Sequence, residues 1–172
     1  LLGAGLTVLS EKPLAYSLSE LDELERFADA RGIDLAGRLR IGYMKEYDPA
    51  VVEARRLLTA LSVRAVTIEV LHPADDRQLD FARLLPAETD LPQEAISAAS
   101  TRMATVLTEA LGEAPEDLRR TYSSVVLGSV VHDIALLRTL GYALETVTQA
   151  KRWTGTFPGS ITATGSTSGG TV

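Results

Sequence analysis

Glu11-Lys12-Pro13 sets an acid, a base and a proline directly behind the β-prone run Leu6 to Ser10. Pro13 has no N–H, so a central ladder should stop there. Open α/β sheets bind ligands outside the carboxyl ends of their strands. A lysine at such an end can donate to a substrate oxygen, and burial can lower its pKa toward the range of proton transfer. A solvated turn with a helix-leading proline accounts for the same spacing. Much later, His132-Asp133 interrupts an apolar stretch made of Val125, Val126, Leu127, Val130, Val131, Ile134, Leu136 and Leu137. A polar pair there is costly unless its hydrogen bonds are met. It reads either as a core histidine with a hydrogen-bond partner or as a general acid/base on a rigid element. Gly128 lies one turn earlier on the same helical face and leaves room beside the imidazole.

Other chemistry is harder to build. Gly3-Ala4-Gly5 starts like a dinucleotide fingerprint, but Val8 stands where the third glycine belongs. No strand precedes it and no helix follows, as the pyrophosphate loop requires; it reads as a tight turn before a strand. His72, with Asp75 and Asp76 nearby, and His132 do not have metal-ligand spacing. His72 before Pro73 reads as a turn residue, and no metal site is expected.

The elements that must position these residues follow from periodicity. Ser17 with Glu20 three residues on forms a capping box, opening a helix with Leu18, Leu21, Leu24, Phe27 and Ala28 on one face. Gly32 stops it. Leu39 to Met44 is a second short strand, and Asp48-Pro49 opens a helix to about Leu61, with proline at its first turn. Strand–helix–strand–helix is the grammar of a parallel α/β layer. Val63 to Leu71 is rich in β-branched residues and is expected as a strand, with Gln78 to Leu85 returning after a turn. Glu94 to Leu111 is expected as a helix ended by Gly112. Glu116 to Leu140 is expected as a long helix stopped by Gly141, with Gly128 and Ser129 able to kink or divide it. Leu144 to Trp153 is strand-like, and the residues after Gly155 are a tail or the start of another strand.

Composition narrows the partners. The chain has 172 residues, 45% of them apolar and 23% charged, which suits a globular protein rather than a disordered one. The net charge of −6 leans against binding a phosphate backbone, so no nucleic-acid partner is expected. No apolar run reaches the roughly 18 residues of a membrane span. Cysteine is absent, which excludes disulfides and thiolate metal sites and fits a reducing, cytoplasmic setting.

Thr-Val-Leu-Ser-Glu-Lys-Pro-Leu-Ala, then a helix, then Ile-Gly-Tyr-Met-Lys-Glu-Tyr-Asp-Pro-Ala, resembles the Gfo/Idh/MocA oxidoreductases, relatives of glucose–fructose oxidoreductase and inositol dehydrogenase. His132-Asp133-Ile134-Ala135-Leu136-Leu137-Arg138 before Gly141 is similar to their later His-Asp helix. The resemblance spans about Leu6 to Thr164. It implies an α/β to α+β fold: the last strand–helix–strand of a Rossmann sheet over residues 1–47, then an open-sheet α+β domain over 48–172, with helices on one face. The main NAD or NADP motif would lie upstream of Leu1, and the sheet would continue past Val172. The chain alone is then expected to bind the dinucleotide poorly and to be inactive.

The resemblance also implies roles. Lys12 would sit by the nicotinamide and the reacting carbon, with Glu11 and Pro13 completing the cofactor-side motif. His132 would act as acid/base at the substrate hydroxyl. Tyr43, Lys45, Tyr47 and Asp133 would border the substrate pocket, with Gly42 and Met44 in the same segment. Three positions depart from the family: Glu46 where arginine is frequent, Gly128 where an aspartate often precedes the histidine by four residues, and Ala135 at another frequent aspartate. Losing the first aspartate removes a partner that could tune the histidine, and allows a substrate other than a polyol. The expected function is hydride transfer between NAD(P) and a sugar-like or other small hydroxy or carbonyl substrate, in a homo-oligomer joined through the C-terminal sheet. The alternative is a non-catalytic remnant or association module of the same fold.

Overall fold

The computed structural model describes residues 1–71, 90–153 and 159–167, and the backbone of 170–171. His72, Pro73, Asp75, Asp76 and the strand expected over Gln78 to Leu85 lie outside these residues. Among the described residues the chain is mixed α/β with two small sheets.

A 3-10 turn at Leu2–Ala4 ends on Gly5 in the left-handed region (φ 77°) and leads into strand β1 (Val8–Ser10). Helix α1 (Leu18–Asp29) follows, capped by Ser17, whose Oγ accepts from the Glu20 N–H at 3.2 Å. The return arm of the box reaches one residue further out, from the Tyr16 N–H to Glu20 Oε2 at 2.8 Å. Leu21 and Leu24 are half-buried and Ala28 is buried, while Leu18 is exposed. After Gly32 (φ 60°) comes the short helix α2 (Leu35–Arg38), then strand β2 (Leu39–Ile41). β2 pairs with β1 in parallel, Val8 opposite Leu39 and Ser10 opposite Ile41. The Gly42 N–H donates to the Ser10 carbonyl at 2.8 Å, so both chains leave the sheet at the same end. A 3-10 turn at Met44–Tyr47 then feeds α3 (Pro49–Leu58), capped by the Asp48 carboxylate.

The strand expected over Val63 to Leu71 is not formed; only Ala65 makes an isolated bridge. Strand identity depends on a neighbour as well as on β-branched side chains, and no described segment pairs along this one.

Helix α4 (Gln93–Leu111) ends at Gly112 (φ 64°). The long helical stretch is present but not uniform. It runs as α5 (Glu116–Arg120), a π segment (Thr121–Val130) and α6 (Val131–Thr139). Gly128 and Ser129 therefore fall in a widened helix rather than at a break. Gly141 (φ 93°) turns the chain into β3 (Leu144–Trp153), which pairs antiparallel with β4 (Ser160–Thr167); β5 (Gly170–Thr171) pairs with β4. The sheet is thus a small antiparallel one among the described residues, with bulges between Leu144 and Thr146 and between Val147 and Gln149.

The buried apolar side chains among the described residues are Ala28, Val106, Leu107, Ala135 and Leu137. Long-range polar contacts tie the helices to the other elements. The Tyr122 hydroxyl donates to the Tyr16 carbonyl at 2.7 Å, and burial raises its pKa. Arg152 on β3 pairs with Asp117 and donates to Thr121 Oγ1 at 3.0 Å. Ser19 donates to Glu109 on α4 at 2.7 Å.

Candidate functional site

Three segments distant in sequence meet where β1 and β2 end. Glu11 and Lys12 follow β1, Tyr43 and Lys45 follow β2, and His132 and Asp133 start α6. Parallel pairing of the two strands is what brings the first four together, because it places both exits on one edge. Contacts from Lys12 to the Gly128 carbonyl and from Lys45 to Asp133 bring the last two.

Lys12 is half-buried and reaches across to the π segment, where its Nζ donates to the Gly128 carbonyl at 2.5 Å. π turns concentrate at functional sites because they alter the regular ladder and expose backbone groups to other partners. Lys12 precedes Pro13 through a cis peptide bond. Glu11 is exposed beside it, near the turn formed by Gly42.

His132 is 6% exposed and Asp133 7%. Asp133 meets the cost of burial with an ion pair: Lys45 Nζ lies 2.9 Å from its Oδ1. His132 does not. Its Nδ1 is buried without a hydrogen-bond partner, an arrangement that costs roughly 1–3 kcal/mol for a neutral group. No protein group among the described residues satisfies this nitrogen. Burial lowers the His132 pKa below the ordinary imidazole value, and the positive charges of Lys12 and Lys45 push the same way. Asp133 and Glu11 oppose them. The imidazole is held neutral near pH 7.

Tyr43 is half-buried with its ring edge-on to His132, centroids 6.3 Å apart and planes at 87°, within the favourable range for such pairs. Arg138, nearly two turns beyond the histidine on α6, sits 5.7 Å above the Tyr43 ring and pairs with Glu46 at 2.9 Å. The structure thus gathers Glu11, Lys12, Tyr43, Lys45, His132 and Asp133, with Pro13 adjoining. It does not gather Tyr47, which is 74% exposed at the end of the 3-10 turn. Sequence reasoning missed the Gly128 carbonyl as the lysine's acceptor and the Glu46–Arg138 pair. The second had a signal: Lys45-Glu46 is the charge complement of Asp133 and Arg138.

Among the described residues no three His, Asp or Glu side chains are grouped to hold a metal, and no helix is long and apolar enough to cross a membrane. The arrangement can offer an ammonium donor, a neutral imidazole with an unpartnered nitrogen, and a phenol within one small region. The chain matches no protein-family profile, no curated protein and no solved structure.

Proposed function

We propose that this chain is the substrate-facing part of an NAD(P)-dependent oxidoreductase of the Gfo/Idh/MocA kind, acting on a sugar-like or other small hydroxy or carbonyl compound. One observation carries the reading: Lys12 and a buried His132 with an unpartnered Nδ1 converge at the carboxyl ends of two parallel strands. That is the place where open α/β sheets receive ligands, and a buried ring nitrogen without a protein partner is uncommon in a histidine kept only for packing. On this reading residues 1–47 close a Rossmann sheet and 48–172 form the substrate domain. Glu11, Lys12 and Pro13 would border the nicotinamide, which when bound supplies a hydride acceptor or donor.

The chain's own groups then divide the remaining work. Lys12, tethered to the Gly128 carbonyl, keeps further N–H donors to polarise the substrate oxygen. His132, neutral because it is buried between two lysines, accepts the hydroxyl proton as the alcohol carbon loses its hydride. Asp133 holds Lys45 near the imidazole, and Tyr43 packs against the His132 ring. Replacing Lys12 by Ala in the full-length protein that carries this sequence is expected to cut kcat by about 10²–10⁴-fold, the usual worth of a positioned proton donor. Undiminished hydride transfer, followed by reduced-nicotinamide absorbance, would remove Lys12 from the reaction.

A second reading has its own observation. β3 is exposed along nearly all its length, with Val147 and Trp153 on the surface. The chain would then serve as an association module joined through this sheet.

A further inference from the structure

We propose that Glu46 and Arg138 are positioning residues, whose ion pair and the cation–π contact of Arg138 with Tyr43 hold the Tyr43 ring in its T-shaped contact with His132. Two cross-links join the Met44–Tyr47 turn to α6. Lys45 meets Asp133 at 2.9 Å, and the next residue, Glu46, meets Arg138 at 2.9 Å. The order of signs on the turn, plus then minus, is the complement of that on the helix, minus then plus. Sliding α6 along the turn would break both contacts, so the two pairs define one seating.

The second pair does not serve mainly to stabilise the fold. Arg138 is 60% exposed in its side chain and Glu46 22%, and pairs of that kind contribute only about 0–1 kcal/mol. What the pair does is geometric. The Arg138 guanidinium is held at one end by Glu46 and places its charge over the Tyr43 ring, 5.7 Å from the centroid, at cation–π range. Tyr43 in turn abuts the His132 ring and helps keep water from it. The charges acting on the imidazole are Lys12, Lys45, Asp133 and Glu11; with the Tyr43 phenol these face it from the β1 exit, the β2 exit and its own helix. Glu46 and Arg138 would act on it through Tyr43. The purpose assigned to this seating rests on the proposed reaction; the seating itself does not.

The test needs neither cofactor nor substrate. In a His72→Gln background, His132 gives the only imidazole signal, since the chain has two histidines, and its titration is followed by NMR in Glu46→Gln, in Arg138→Gln and in the exchanged pair Glu46→Arg/Arg138→Glu. If the pair acts by position, both single variants move the His132 titration upward, toward the ordinary imidazole range, because both loosen the cover over the ring. The exchanged pair returns it toward the parent. Shifts of opposite sign in the two singles would mean a direct charge effect and would overturn the proposal, as would no shift in either. If a single variant loses helical circular dichroism, the exchanged pair decides: parent-like titration supports positioning, while a free-histidine titration in a folded protein overturns it. Failure here leaves the hydride-transfer reading to the Lys12→Ala measurement, and the converse holds equally.

Discussion

His132 couples the site to stability through its proton. Its folded pKa lies below the unfolded value of about 6.5, chiefly through burial and then through Lys12 and Lys45. The unfolded chain therefore binds more protons between the two values, and stability must rise with pH across that interval. Its contribution is fully present above the unfolded value and is lost as pH falls toward the folded one. Thermal melting followed from pH 7 downward should show this acid limb, and His132→Gln should flatten it. An unchanged limb in the variant would assign the pH dependence to other groups. Little of this was legible beforehand. Glu11, Lys12, His132 and Asp133 could be picked out by residue type, because a proline-terminated strand and a polar pair in an apolar helix are local patterns. That Lys12 would bond a carbonyl 116 residues away depends on tertiary packing, which no local pattern records.

Elements were legible where their signals are self-contained. α1 has a serine cap and a glycine stop, and β3 runs over the residues expected to be strand-like. The Val63 to Leu71 segment had strand composition without a described strand to pair with, so composition misled. The π segment left no trace in the periodicity, because its apolar and small polar residues mark no single face. The β3–β4 hairpin has a sharper local requirement. A Cβ at Gly165 would strike the Thr146 carbonyl and the Leu144 side chain, next to the two bulges of β3. Backbone cannot yield as a flexible side chain does. Gly165→Ala should therefore destabilise the protein by about 1–3 kcal/mol, as overpacking does, measured by denaturant unfolding. Unaltered stability would mean that the bulge relaxes to make room.

At the scale of the whole molecule, the buried apolar set among the described residues is small, and many of their large apolar side chains are exposed. Leu9 on β1 is 77% exposed, Leu18 at the start of α1 is 78% exposed, and Val147 on β3 is 55% exposed. Uncovered apolar side chains and open strand edges favour association. Sedimentation equilibrium is expected to show a dimer or larger species. A monomer across the accessible concentration range would count against the sheet as an association surface. Such a result would leave the Lys12–His132 region untouched, since that cluster is assembled from one copy of the chain.

The sequence contains a single tryptophan. Trp153 closes β3, paired with Ser160, beneath the Lys151 ammonium at 4.8 Å from its ring. Indole emission therefore observes the hairpin end alone, whereas far-ultraviolet dichroism is dominated by the helices around His132. Recorded together during unfolding, the two signals become a measure of cooperativity. Coincident transitions would mean that sheet and site melt as one unit, and separated ones would give each half its own free energy of opening.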